Sequence, residues 1–197
     1  MEKPSSQKVE NSLLEIDFKP EFYSLEKADR FYHLLKEELN WKQGFVRLFG
    51  RTMEEPRLTC YYGDVDYKYS SKVNPAQDIH LSSSLKEIVK ELEERIGIKF
   101  NAVLGNYYRN GQDSMGWHSD DESVHIPGSL IASISFGESR NMKFRNKSTK
   151  KLIYKVELNS GSLLIMKGDA QKKTEHSIPK QSNKKGRINL TFRQFSG

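Results

Sequence analysis

The amino-acid sequence predicts a mainly β domain, a sandwich or jelly roll, with helices packed against it from the N-terminal side. Three observations carry that expectation. From Phe100 onward the chain breaks into eight short strand-like runs separated by turn residues, about 95 residues with no helix to make parallel crossovers. Before them lie two stretches whose apolar residues recur every three or four positions, the period of an amphipathic helix. The segment Arg187-Ile-Asn-Leu-Thr-Phe-Arg193 alternates strictly, with Ile188, Leu190 and Phe192 on one face and Arg187, Asn189, Thr191 and Arg193 on the other.

The elements follow in order. Residues 1–12 are polar, lack the apolar stretch of a signal peptide and are expected to form a disordered tail. Leu13 to Phe18 alternates as a strand. Ser24 is a good N-cap for a helix running to about Leu39, striped by Leu25, Ala28, Tyr32, Leu35 and Leu39. Trp41 to Phe49 reads as a strand, Gly50 begins a turn, and Arg57 to Tyr62 is its return partner; residues 63–80 are expected to be a long loop. A second helix is predicted from Ser83 to Ile96, closed by Gly97. The later strands are placed at 100–108, 115–120, 129–136, 141–146, 151–158, 162–167, 174–178 and 187–195, and the two around Asn159-Ser160-Gly161 are predicted to pair as a hairpin. The organisation expected is one globular domain: the tail to residue 12, helices and first hairpin over 13–98, and a β core over 99–197.

Composition bounds the function. At 197 residues, 36% of them hydrophobic, the chain can bury a real core. No run of about 18 apolar residues exists, so no membrane span is expected. A single cysteine, Cys60, excludes an internal disulfide and a structural zinc finger, and fits a reducing compartment. The net charge of +6 favours a polyanionic partner. Lys143, Arg145, Lys147, Lys150, Lys151 and Lys155 cluster on neighbouring segments, although lysines guarding strand edges give the same pattern.

The chemistry concentrates at His118-Ser-Asp-Asp-Glu122. On an extended strand His118 and Asp120 share a face, and a second histidine from a distant strand, His176, would complete a facial triad that leaves positions open on the metal. Such a triplet arises often by chance, and His125 is close enough to compete as a ligand; His33 and His80 have no carboxylate at ligand spacing. The polar face of 187–193 either meets solvent from an edge strand or, with both faces covered, lines a cavity. In the second case its two arginines need anionic partners, and a dicarboxylate fits their forked geometry.

The blocks Pro56-Arg-Leu-Thr-Cys-Tyr-Tyr-Gly-Asp64, Asn106-Tyr-Tyr108, His118-Ser-Asp-Asp-Glu122, Ile131-Ala-Ser-Ile-Ser-Phe-Gly137, Gly161-Ser-Leu-Leu-Ile-Met166, His176-Ser-Ile-Pro179 and Arg187-Ile-Asn-Leu-Thr-Phe-Arg193 together resemble the AlkB family of Fe(II)- and 2-oxoglutarate-dependent nucleic-acid dealkylases. The likeness runs from about Phe45 to Phe195. It implies a double-stranded β-helix (jelly roll) core and an enzyme that uses Fe(II), 2-oxoglutarate and O₂. Carried over by position, His118, Asp120 and His176 are the iron ligands. Arg187 holds the distal carboxylate of 2-oxoglutarate with help from Asn106 and Tyr108, Arg193 lies by the keto-acid end, and Asn189 supports them.

The resemblance also implies the substrate: alkylated DNA, and RNA second, with 1-methyladenine and 3-methylcytosine demethylated and formaldehyde released. Residues 64–69 align with the family's nucleotide-recognition lid, so Tyr69 and Tyr67 are expected at the flipped base, with Asp121 and Glu122 beside it. Arg57 is a further substrate-side candidate. Phe49, at the tip of the first hairpin, falls where a duplex-acting relative has an intercalating aromatic; a core phenylalanine at a strand end is the alternative. Strand preference stays open. A monomer in an intracellular setting is expected, cytoplasmic in a bacterium and nuclear in a eukaryote. The alternatives are a dioxygenase of the same fold acting on RNA modifications or protein, and an inactive nucleic-acid-binding module.

Overall fold

The structure, a computed structural model, describes residues 6–10, 12–48, 50–69, 72–120, 126, 128–167 and 170–196. The chain forms β1 (Gln7–Glu10), β2 (Glu15–Lys19), α1 (Leu25–Glu38), β3 (Lys42–Leu48), β4 (Arg51–Gly63), β5 (Tyr67–Tyr69), β6 (Lys72–Asn74), α2 (Ser83–Ile96) and β7 (Ala102–Tyr108). It continues through β8 (Met115–His118), β9 (Ile131–Gly137), β10 (Arg140–Asn146), β11 (Leu152–Leu158), β12 (Leu163–Met166), a one-turn α3 (Ala170–Lys173), β13 (Thr174–Ile178) and β14 (Arg187–Arg193). An eight-stranded sheet runs β1-β2-β12-β9-β14-β7-β4-β3, and a four-stranded sheet runs β11-β10-β13-β8. Their inner faces share one apolar cluster, with Met142, Phe144 and Val156 from the small sheet against Ile131, Leu164 and Met166 from the large one. This is the jelly roll.

The helices cover the other face of the large sheet. Phe31 and Leu35 of α1 and Leu85, Ile88 and Leu92 of α2 are fully buried against Ile134, Phe136, Ile188, Leu190 and Phe192. Each such side chain removed from water contributes about 1.5–3 kcal/mol, which outweighs the modest intrinsic propensity of a 14-residue helix. The caps match the sequence: Ser24 accepts from Lys27 N–H, Ser82 accepts from Leu85 N–H, and Gly97 takes the left-handed conformation at φ 72°. Glu38 ties the two helices, accepting from the Ser82 hydroxyl at 2.7 Å and from Ser84 N–H at 3.1 Å.

Strand β14 therefore has both faces covered. Its apolar face meets the helices and its polar face looks into the space between the sheets, with all seven residues buried. It pairs with β7 on one side and β9 on the other, which puts Asn189 level with Asn106 and Ser135.

Four expectations are corrected. Residues 7–10 are not tail: they pair with β2, Lys8 opposite Asp17 and Val9 opposite Ile16, extending the large sheet. The strands flanking Asn159-Ser160-Gly161 do not form a hairpin. There β11 pairs with β10 and β12 pairs with β9 and β2, so the turn carries the chain from one sheet to the other. Gly161, at φ 78°, donates to Ser135 O and so ties that crossing to β9. The long loop over 63–80 contains the β5–β6 pair and a 3₁₀ turn at Ile79–Leu81. The return strand of the first hairpin starts at Arg51 rather than Arg57; residues 51–54 are exposed and carry no apolar alternation to reveal them.

Candidate metal and co-substrate site

The triad is assembled by strand register. His176 of β13 stands directly opposite His118 at the end of β8, so the two rings meet edge-on, with centroids 4.2 Å apart and planes at 60°. Asp120, two residues beyond His118, brings Oδ1 to 3.8 Å from His118 Nε2 and Oδ2 to 3.8 Å from His176 Nε2. Ligand atoms of the three all lie within 4.8 Å of one another, close enough to grip one divalent ion. His118 Nδ1 lies 2.9 Å from Gly116 O. A carbonyl only accepts, so Nδ1 carries the hydrogen and Nε2 presents its lone pair to the centre of the triad. His176 Nδ1 has no protein partner among the described residues, so a metal at Nε2 would fix a tautomer that the protein does not.

The backbone around Asp120 is pinned by α3 and the start of β13. Asp120 N–H donates to Gln171 Oε1 at 2.9 Å, and Ser119 Oγ donates to Thr174 O at 2.8 Å. The carboxylate meets Arg193 Nη2 at 3.0 Å. Burial would raise its pKa, but Arg193, with both histidines, overrides that and holds Asp120 well below the usual carboxylate range. Burial, reinforced by His118 and opposed by Asp120, pushes His176 down to about 3. Both therefore stand ready as ligands at neutral pH, the aspartate ionised and the imidazole neutral.

Arg187, at the other end of β14 from Arg193, is wholly buried. Its Nη2 donates to Ser135 Oγ at 2.9 Å and Asn189 Oδ1 at 2.8 Å, while Nε and Nη1 have no acceptor among the described residues. Burial pushes its pKa down to about 10, with the Tyr108 phenol acting against that fall. The ring of Tyr108 lies 5.2 Å from the guanidinium. A buried cation with two unused donors is costly unless a ligand meets it, and a carboxylate matches the fork. Asn189 braces it, donating in turn to Ser133 Oγ at 3.1 Å and Thr191 Oγ1 at 3.2 Å.

The triad lines one cavity, and Arg187 stands behind its wall, against Tyr108 and Asn189, which do line it. His118, Asp120, His176, Asn106, Tyr108, Asn189, Arg193 and Arg57 all contribute to its wall, whereas His33 and His80 do not. Arg57 Nε donates to Asn106 Oδ1 at 2.8 Å, which ties it to the wall. Strand β5 carries Tyr67 and Tyr69, but their side chains, like Phe49, Asp121, Glu122 and His125, lie outside the described residues. Sequence reasoning missed Glu55, Ser133, Ser135, Gln171 and the methionines 115, 142 and 166. The two serines sit within the block Ile131-Ala-Ser-Ile-Ser-Phe-Gly137, where their alternation with apolar residues is the available signal. Glu55 and Gln171 give none.

Comparison with known proteins agrees with this geometry. The family described as the 2OG-Fe(II) oxygenase superfamily matches residues 16–193. Alpha-ketoglutarate-dependent dioxygenase alkB homolog 3 of Homo sapiens is 36% identical over 183 residues, which cover 88% of this chain and 64% of that protein. DNA oxidative demethylase ALKBH2 of Homo sapiens is 33% identical, covering 86% of this chain and 69% of that protein. The chain thus spans 64% of the length of the alkB homolog 3 relatives from Bos taurus and Homo sapiens. The solved structure of OsALKBH1 shares the fold, with a TM-score of 0.59 at 16% identity over 96% of this chain and all of that one (100%). By its sequence match, and with a triad and a buried arginine fork that suit iron and a dicarboxylate, the chain belongs to the 2OG-Fe(II) oxygenase superfamily, in the branch of the AlkB homologues.

Proposed function

We propose that this protein is an Fe(II)- and 2-oxoglutarate-dependent dioxygenase that demethylates 1-methyladenine and 3-methylcytosine in DNA, with RNA as a second substrate. The observation that carries the reading is a cavity walled by the His118–Asp120–His176 cluster and by Asn189 and Tyr108, behind which Arg187 stands with two donors that meet no acceptor among the described residues. His118, Asp120 and His176 would hold the iron, and Arg187 the distal carboxylate of 2-oxoglutarate, with Tyr108 alongside. Iron and 2-oxoglutarate, when bound, supply the means to put one oxygen atom of O₂ into a C–H bond while the other goes into succinate and CO₂ leaves.

The protein's own contribution is position and exclusion. Arg193 keeps Asp120 ionised and aimed at the metal position, and Gln171 fixes the backbone from which Asp120 projects. Leu104, Met115, Met142, Met166 and Ile178 give the cavity an apolar wall that keeps bulk water from the oxidised carbon. An N-methyl group hydroxylated there becomes a hemiaminal, which breaks its C–N bond to leave the unmodified base and formaldehyde. The basic balance of the chain, +6, suits a polyanionic substrate. The relatives named as a DNA oxidative demethylase support the substrate class.

Single- and double-stranded oligonucleotides carrying one 1-methyladenine or one 3-methylcytosine test the reading. Formaldehyde and succinate should appear in equal amounts, need both Fe(II) and 2-oxoglutarate, and vanish in His176→Ala. Succinate with no change in either base would contradict it.

A further inference from the structure

The cavity holds a second carboxylate besides Asp120. Glu55 lines it from β4, the strand beside the sheet edge, on the same side as Arg57 and Thr59. A bulge puts it there. Between the pairs Gln43–Leu58 and Phe45–Glu54, Gly44 alone faces Glu55, Pro56 and Arg57. Pro56 has no N–H to offer the ladder and its ring is exposed, so the interruption falls where it costs little. The Gln43 side chain mends the gap, donating to Gly44 O at 3.0 Å and Glu55 O at 2.7 Å. The Glu55 carboxylate then packs over Gly44, with Oε2 filling the place where a β-carbon would stand.

Its hydrogen bonding is unfinished. A carboxylate has room for about four donors. Among the described residues the Glu55 side chain has one, Arg57 Nη2 at 3.4 Å, while Arg57 gives its shorter bond of 2.8 Å to Asn106. Glu55 is only 6% exposed and lines the cavity, so any further donor reaches it from there. A largely buried anion so weakly met is expensive unless the cavity's contents bring a donor.

We propose that Glu55 reads the exocyclic amino group of the methylated base. The inference rests on the nucleobase-demethylase reading of this cavity. 1-Methyladenine and 3-methylcytosine carry an amino group beside the methylated ring nitrogen and a positive charge. 3-Methylthymine is neutral and carries a carbonyl on each side of that nitrogen. A fixed carboxylate accepts a hydrogen bond from 1-methyladenine or 3-methylcytosine and opposes the lone pairs of 3-methylthymine, which is selection by repulsion as much as by attraction. Arg57 sets the direction of that carboxylate and, through Asn106, links it to the co-substrate side of the cavity.

The test is Glu55→Gln, which keeps the shape and replaces an acceptor by a donor. In one single-stranded oligonucleotide context, the ratio of kcat/KM for 1-methyladenine over 3-methylthymine should fall by about 10- to 100-fold. Fluorescence anisotropy with metal-free protein should show weaker binding of the 1-methyladenine oligonucleotide and equal or tighter binding of the 3-methylthymine one. Gly44→Ala should lower the same ratio, because its new methyl group displaces the Glu55 carboxylate. The double variant should do no more than Glu55→Gln alone. If Glu55→Gln lost its melting transition, the same ratio in Gly44→Ala would decide. Active wild type with an unchanged ratio in the variants, or both lesions weakened alike, overturns the role of Glu55. A wild type that demethylates neither base overturns the underlying reading and this role with it.

Discussion

Asp120 and Arg193 form a buried ion pair, Oδ2 to Nη2 at 3.0 Å, although they come from opposite sheets of the jelly roll. The pair bridges the two halves of the site: the metal cluster hangs on β8 and β13, and the arginine on β14. Arg193→Gln should lower metal affinity by about 10- to 100-fold, as loss of a partner to a ligating carboxylate does. Titration with Co(II) in the absence of 2-oxoglutarate checks this without involving the co-substrate. Unchanged affinity would place Arg193 with the co-substrate alone.

Arg187→Met separates the dicarboxylate from the metal. Two charge-assisted bonds lost should weaken 2-oxoglutarate by about 2–3 kcal/mol, or roughly 30- to 150-fold, while Co(II) binding holds. The ligand-free variant should melt no lower than the wild type, because a buried cation with two unused donors is replaced by an apolar chain of similar length. Thermal shift with and without 2-oxoglutarate reads both effects.

Glu38 makes stability depend on acid. Burial raises its pKa, but the hydroxyls of Ser82, Ser83 and Ser84 and the Ser84 N–H outweigh it and lower the value in the folded state. The unfolded carboxylate protonates first as pH falls, so the stabilisation is fully present above the ordinary glutamate pKa of about 4.3 and is lost below it. The Tm gap between wild type and Glu38→Gln should be widest near neutrality and close as pH drops through that range. A gap that widens in acid would reverse the sign.

The parts that could be read from the sequence were those governed by local period or by a fixed spacing. Leu85, Ile88 and Leu92 announced a buried helical stripe, and Ile188, Leu190 and Phe192 a strand. The triad and the Arg187–Arg193 face could be read because ligand chemistry constrains residue type as well as spacing. Pairing between distant strands could not. Nothing in Asn159-Ser160-Gly161 distinguishes a hairpin from a passage between sheets, since the choice is made by β2 and β9, which take both edges of β12. Gln7–Glu10 is a strand only because β2 offers it an edge. Glu55 looks like one more surface acid in Met53-Glu-Glu-Pro56, and only the bulge at Gly44 turns it into the cavity.

The central claim is that one cavity binds iron and 2-oxoglutarate together, on His118, Asp120, His176 and Arg187. Anaerobic addition of Fe(II) and 2-oxoglutarate reads this most directly, through the weak visible charge-transfer absorption of the keto acid chelated to Fe(II). The band should appear only with both present, disappear in His176→Ala and demand far more 2-oxoglutarate in Arg187→Met. No band in the wild type, or a band that survives His176→Ala, would contradict the account.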